Sequence, residues 1–313
     1  MAKKTEINNG IYPVMITPYK RNGEVDYKAA AAVAAWYEKK GCQGIFAACL
    51  SSEIYFLTEE ERLSLVEVTM NNVSSDTHVV ASGHCTASNE DLEGSIKELR
   101  RVADRGVKAV VLIASKLAGK DDSEDVAIEN AFRIADAIPN VDLGIYEAPL
   151  PYHRLISADG LGKLANSGRF VFFKDTCCDP CILREKLDAV RGTSLKLFNA
   201  NSATLLDSMQ YGAAGLSGVM CNYHPEMYVK LDKLFREGKI EEAQRVQNFL
   251  GMASLVQYQM YPLNAKYYLQ LAGLPIESYF CRSRSDCDLP VGYKWEIKQM
   301  YDFYEEISSK IGE

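Results

Sequence analysis

The feature that most limits what this chain can fold into is a regular alternation. Eight short apolar runs, at 12–17, 44–49, 78–82, 108–114, 141–146, 170–174, 195–199 and 215–220, are each followed by a helical pattern. The runs are apolar on both faces and rich in Val, Ile, Phe and Ala, as a parallel sheet covered on both sides requires. Eight strand-helix repeats without a long linker predict a (β/α)8 TIM barrel. A doubly wound open sheet is the competing architecture, and it usually carries a glycine-rich first turn. Here that turn reads Thr17-Pro18-Tyr19-Lys20, which is no phosphate cradle.

Local signals mark the helices. Thr58-Glu59-Glu60-Glu61 opens one with a capping box. Ser88 is expected to cap the helix that runs to Asp104. From residue 240 the pattern is helical throughout, at 241–258, 262–271 and 295–309. The expected organisation is a barrel over 1–238 with a C-terminal helical region, 239–313, packed on it.

Composition narrows the function classes. Apolar residues make up 47% and charged residues 25%, ordinary for a soluble globular chain. A net charge of -7 argues against nucleic acid or an anionic membrane as the main partner. The N-terminal lysines have no apolar stretch behind them, so no signal peptide is read there. No run approaches the roughly 18 apolar residues of a membrane span. The nine cysteines are an odd number and lie mostly in apolar runs, which suggests reduced thiols and a cytosolic setting. Cys177, Cys178 and Cys181 cluster tightly, but Cys281 and Cys287 make a poor second ligand pair for zinc. Small buried or helix-start cysteines are the simpler reading.

Barrel active sites form at the C-terminal ends of the strands. The sixth run, Phe170-Val171-Phe172-Phe173, ends there in Lys174. A buried ammonium is costly unless paired or neutralised, and desolvation frees part of it as an amine nucleophile. Alternatively, Lys174 pairs with Asp175 or with a helix C-terminus. Tyr146 ends the neighbouring fifth strand. A phenol beside an amine suits carbonyl chemistry, in which the lysine forms an imine and the phenol shuttles protons. It would serve equally well as an aromatic lid on the barrel core.

Several segments in register carry a resemblance. They are the opening Gly10-Ile11-Tyr12-Pro13-Val14-Met15-Ile16-Thr17-Pro18, the turn Asn22-Gly23-Glu24-Val25-Asp26, Glu53 with Leu57-Thr58 and Glu61-Arg62, Tyr146 with Pro149, Phe173-Lys174-Asp175-Thr176, Gly212-Ala213-Ala214-Gly215, and Asn222. Together they resemble the pyruvate-dependent class I aldolases, the family of dihydrodipicolinate synthase and N-acetylneuraminate lyase. The likeness covers about the first 240 residues in order and continues into the tail. It implies that Lys174 is the imine lysine and Tyr146 the proton shuttle. It implies that Ser51 and the backbone near Ser52 hold the carboxylate of a small-molecule 2-keto acid. A protonated imine is its own electron sink, so no metal or organic cofactor is expected. A homo-oligomer, dimer or tetramer, is also implied.

The departures are informative. The family's carboxylate loop is commonly GTTGE, and here it reads Cys49-Leu50-Ser51-Ser52-Glu53. Leu50 removes a hydroxyl that serves a proton relay in the synthase, and leucine neither donates nor accepts. The stretch Ile113-Ala114-Ser115-Lys116-Leu117 lacks the synthase's paired tyrosine. The synthase's aldehyde-holding arginine falls at Pro151, with Arg154 three residues on. Ser217 and Gly218 stand where an Ile-Ser pair is common. The imine machinery is kept and the second-substrate pocket rebuilt.

Polar candidates for that pocket are His84, Lys116, His153, Arg154, Asn199 and Ser217. His84 is either a base near neutral pKa or a hydrogen-bonded loop histidine. His153 and Arg154 either clamp an anionic or hydroxylated tail or form a solvated surface pair. The leading expectation is a class I lyase that cleaves or dehydrates 2-keto acids, 2-keto-3-deoxy sugar acids among them. The alternatives are 4-hydroxy-tetrahydrodipicolinate synthase activity and a barrel that binds a keto acid without turnover. A phosphate cradle at 212–218 is weaker, because those glycines fit strand-to-helix packing as well.

Overall fold

The computed structural model describes residues 6–86 and 91–311. The strands are β1 (Gly10–Ile11), β2 (Gly44–Ala47), β3 (His78–Ala81), β4 (Ala109–Ile113), β5 (Asp142–Tyr146), β6 (Phe170–Asp175), β7 (Lys196–Asn199) and β8 (Gly215–Leu216). Between and after them come α1 (Tyr27–Lys39), α2 (Glu59–Asn71), α3 (Leu92–Ala103), α4 (Glu124–Ala137), α5 (Ala158–Asn166), α6 (Pro180–Val190), α7 (Leu205–Gln210) and α8 (Pro225–Arg236). All strand pairings are parallel, in the order β1-β8-β7-β6-β5-β4-β3-β2. A bridge between Val14 and Phe46 brings the β1 segment to β2 and closes the ring. This is the (β/α)8 barrel expected from the alternation.

Two strands, β1 and β8, depart most from their apolar runs. The run at 12–17 is not a ladder strand, because Pro13 has no N–H to donate. Tyr12 N–H still reaches Leu216 O, whereas Pro13 O and Met15 N–H bond Phe46 on the other side. The segment thus changes partner at the proline. At the other end of the barrel sheet, β8 stops at Leu216, and 219–222 turns into a 3-10 helix. Close approach limits Gly215, where an added Cβ would lie 1.9 Å from Gly10 O. The cap expected at Ser88 lies outside the described residues. The helix begins at Leu92, with the Asp91 side chain accepting from Gly94 N–H. The Thr58–Glu61 capping box is present as read.

Inside the barrel, Phe172 stacks on Phe198 at 4.7 Å and Tyr12 tilts against Phe198 at the same distance. These rings fill the lower barrel, so a reacting group is accommodated only above them, at the strand ends. Beyond α8 the chain continues as α9 (Ile240–Ala253), a 3-10 turn at Ser254–Tyr258, α10 (Leu263–Leu271) and α11 (Val291–Ile307). Leu250, Leu263, Tyr268 and Ile297 share one apolar cluster with Met15, Val33 and Leu231 of the barrel. No helix among the described residues is long and apolar enough to cross a membrane.

Candidate active site

Strand register builds the centre of the site. Tyr146 of β5 is directly opposite Lys174 of β6. Both are buried, and the Lys174 Nζ lies 4.3 Å from the Tyr146 ring centroid and 5.8 Å from that of Phe46. Among the described residues no hydrogen bond reaches the Lys174 Nζ or the Tyr146 hydroxyl. Burial lowers the Lys174 ammonium to about 8, against a smaller opposing pull from Cys49 and Cys221. Burial likewise drives the Tyr146 phenol well above its ordinary value, so it is a neutral donor at physiological pH. Amine and phenol are therefore desolvated neighbours at the strand ends, with the amine over the ring face.

The pairing of Lys174 with Asp175 does not occur. Successive strand residues point to opposite faces, and Asp175 faces the helix layer, where its Oδ2 receives the Lys186 Nζ of α6 at 2.7 Å. Glu147, after Tyr146, points the same way and takes Lys186 at 2.6 Å. Burial raises the Glu147 carboxyl to about 7, with Asp175 adding to the rise and Lys186 opposing it. Burial disfavours the Lys186 ammonium, yet the two carboxylates hold it above its ordinary value. Sequence reasoning missed Lys186. The signal was its place between Leu183 and Leu187 on the buried stripe of α6, where a lysine needs a partner.

The loop after β2 is held tightly. Ser52 Oγ donates to Met15 O at 2.6 Å and accepts from Cys49 N–H at 3.1 Å. Ser52 N–H bonds Cys49 O, and Thr17 Oγ1 donates to Ser52 O at 2.7 Å. Ser52 is thus spent within the loop, and the loop's other hydroxyl, the buried Ser51, hydrogen-bonds the Tyr261 side chain. Glu53 follows in a left-handed conformation at φ 59° and anchors the loop to the C-terminal helices. Its Oε1 receives Lys266 Nζ at 3.0 Å and its Oε2 receives Ser283 N–H at 2.7 Å. Asn222 donates to Val14 O and to the Tyr261 hydroxyl, at 2.9 and 3.1 Å. The C-terminal helices thereby brace the barrel mouth from two sides.

The other polar candidates separate. His84 is fully buried, and its Nδ1 accepts Ile113 N–H at 3.2 Å, which puts the proton on Nε2. Burial, with a smaller push from Lys116, lowers His84 to about 3. The near-neutral base is corrected to a neutral N–H donor, and that Nε2 has no partner. Ser217 Oγ is also buried and unpartnered. Gly218 packs close, since a Cβ there would lie 2.9 Å from Ala200 O. Lys116 donates to Thr86 O at 2.8 Å and sits over the Tyr55 ring. Arg154 is spent on the loop after β4, donating to Gly119 O at 2.5 Å and Asp122 O at 3.2 Å. His153 is exposed and bonds Thr176 Oγ1 at 2.8 Å. Asn199 serves its own loop through Thr204, Ser208 and Asn201. Cys177, Cys178 and Cys181 stand at the start of α6, which Asp179 caps.

A desolvated, unpaired lysine beside a phenol at the carboxyl ends of adjacent barrel strands suits imine chemistry on a carbonyl substrate. The dihydrodipicolinate synthetase family profile matches residues 8–284, and the chain belongs to that family. The family match makes the protein a class I lyase that works on pyruvate or a 2-keto acid through a Schiff base. It is 25% identical over 268 residues to a 4-hydroxy-tetrahydrodipicolinate synthase of Anaplasma marginale (strain St. Maries), covering 85% of each chain. A Haloarcula marismortui protein of the same name is 25% identical over 243 residues, 78% of this chain and 77% of that one. Among solved structures, an E. coli K12 prophage protein of the dihydrodipicolinic acid synthase family, in complex with pyruvate, superposes with a TM-score of 0.85. It is 20% identical, and the match covers 95% of this chain and 98% of that one. CdNal from Clostridium difficile, in complex with mannosamine, gives a TM-score of 0.83 at 18% identity over 95% and 99% of the two chains. Such low identities to solved structures support the barrel, and the family assignment rests on the profile.

Proposed function

We propose that this protein cleaves or dehydrates 2-keto acids, with 2-keto-3-deoxy sugar acids as the favoured class, through an imine on Lys174. The observation that carries this is the Lys174 amine, buried without a hydrogen-bond partner and shifted to about 8. An amine in that state is a nucleophile at physiological pH, as the first step requires.

In the forward step the amine adds to the 2-keto carbon, and Tyr146 gives its phenolic proton to the carbinolamine hydroxyl, which leaves as water. The protonated imine, with Tyr146 now a phenolate, withdraws electrons from the adjacent bond. In retro-aldol cleavage Tyr146 takes the proton of the C4 hydroxyl while the C3–C4 bond breaks. An aldehyde departs, the enamine is reprotonated at C3, and water releases pyruvate from Lys174. In dehydration a C3 proton and the C4 hydroxyl are lost instead. Ser51 donates to the substrate carboxylate. His84 Nε2 and Ser217 Oγ are buried polar groups without partners, and they suit a hydroxylated tail better than a second carboxylate.

The relatives named 4-hydroxy-tetrahydrodipicolinate synthase suggest condensation of pyruvate with an aldehyde as the rival activity. Leu50 and the tyrosine-free stretch at 113–117 weigh against it. A homo-oligomer is proposed from family membership, and a cytosolic setting from nine unpaired cysteines. Incubation with pyruvate and borohydride should add one three-carbon adduct to the Lys174 peptide. A panel of 2-keto acids scored for pyruvate release then identifies the substrate. An adduct on a different lysine, or none with any keto acid, overturns the mechanism.

A further inference from the structure

The amine and the phenol have a shared support that neither touches. Lys174 and Tyr146 face one another across β5 and β6, and the next residue of each strand, Asp175 and Glu147, faces the other way. There a single ammonium, Lys186 Nζ of α6, bridges Glu147 Oε1 at 2.6 Å and Asp175 Oδ2 at 2.7 Å. The remaining carboxylate capacity is filled by backbone donors. Ile156 N–H reaches Glu147 Oε1 at 2.8 Å, Thr176 N–H reaches Glu147 Oε2 at 3.0 Å, and Cys177 N–H reaches Asp175 Oδ1 at 3.0 Å. Thr176 closes the loop by donating its hydroxyl to Glu147 O at 2.5 Å.

We propose that Lys186, Glu147 and Asp175 form a brace that fixes the distance between the Lys174 amine and the Tyr146 phenol, with Lys186 as the positioning residue. This rests on the roles given above to Lys174 and Tyr146. A buried ion triad is poor evidence for stability, since apolar replacements of equal volume are often neutral or stabilising. What it supplies is direction. Three ionisable groups joined by two ammonium–carboxylate bonds and tied to three backbone N–H donors have few low-energy arrangements, and a greasy contact has many. The two braced residues are covalently next to the two reacting ones, so slippage of β5 against β6 would move the phenol relative to the amine. Misplacement by about 1 Å costs on the order of a hundredfold in rate for a chemical step. Burial is the main cause of the lowered Lys174 pKa, so a brace that acts through geometry should leave that pKa in place when the triad is removed.

The test uses the full-length chain with Lys186→Met, Glu147→Gln and Asp175→Asn combined, which removes all three charges and keeps the volumes. Glu147→Gln alone, which leaves Lys186 and Asp175 balanced, serves if the combination does not fold. Crystal structures of parent and variant are compared directly. The expected result is a change of about 1 Å in the 4.3 Å separation of Lys174 Nζ and the Tyr146 ring, or two conformers of one of them, with the melting temperature held. An unchanged geometry overturns the brace. Pyruvate trapping by borohydride is measured on both proteins. It should slow at least tenfold in the variant, while the midpoint of its pH dependence stays near that of the parent. A shifted midpoint with unshifted atoms would make the triad an electrostatic device and reject positioning. If the parent itself takes no pyruvate, the proposed function falls, and the paired structures still decide the brace.

Discussion

The Lys174 amine rests over the face of the Tyr146 ring, 4.3 Å from its centroid, rather than on its hydroxyl. A π-face is a weak partner for an ammonium compared with a carboxylate. The amine is therefore left close to neutrality, and the phenolic proton remains free for substrate.

Imine formation should rise with pH through a midpoint of about 8. Lys174 is a cation whose folded pKa is depressed by burial. Below the midpoint it is protonated and unreactive, so the trapping rate gains about tenfold per pH unit and then levels off above it. The measurement is the borohydride trapping rate with pyruvate from pH 5.5 to 9.5. A midpoint near the ordinary lysine value would contradict a desolvated amine. His84, at about 3, should add no inflection in that range.

The same burial carries a stability cost. At pH 7 the folded state must hold an ammonium that the unfolded chain solvates freely, and the penalty is relieved only as pH rises from about 8 toward the lysine reference value. Lys174→Met should abolish the adduct and raise stability by on the order of 3 kcal/mol at pH 7. Paired denaturation curves check this, and a destabilised Met variant would refute it.

Tyr146→Phe keeps the ring that packs on Phe46 at 5.6 Å and deletes only the hydroxyl. Stability should change little, while turnover falls about 10²–10⁴-fold if the phenol is the acid and base. Turnover within a few-fold of the parent, on the substrate found in the keto-acid panel, would return Tyr146 to a packing role.

Condensation of pyruvate with aspartate semialdehyde should fail even though pyruvate is trapped. Leu50 offers no relay hydroxyl, Ser115 Oγ donates to Leu150 O, and Lys116 is turned to Thr86 O. A coupled assay with both substrates is decisive. Product formation at a kcat/KM of about 10⁴ M⁻¹s⁻¹ or more would show that another group has taken over the relay.

The link from tail to site can be broken at Lys266. Lys266→Met strands the Glu53 carboxylate, with both side chains essentially inaccessible, and should cost about 3–5 kcal/mol. Adding Glu53→Gln should recover part of that loss. Keto-acid affinity should fall in the single variant, because Glu53 directly follows the Ser51-Ser52 loop. Calorimetric unfolding with pyruvate titration reads both effects, and an unaltered affinity would detach the clamp from the site.

What the sequence determined by itself was whatever depends on local pattern. Eight doubly apolar runs between amphipathic helices can bury both faces only in a covered parallel sheet, so the barrel and its order were legible. Local pattern made Lys174 and Tyr146 conspicuous as candidates at the ends of adjacent strands, and the imine and proton roles expected of them came from the family resemblance. The partner change at Pro13 was not read from the sequence, although the missing N–H was its signal. Which charges meet was decided only by the tertiary structure. Asp175 is next to Lys174 in the chain, yet strand alternation turns it to the opposite face, where Lys186 arrives from α6. Glu53 finds Lys266, 213 residues away. Which His84 nitrogen carries the proton was set only by folding, through the Ile113 N–H on Nδ1, and burial keeps the ring neutral. Charge pairing and desolvation depend on three-dimensional neighbours, and no local window of sequence contains them.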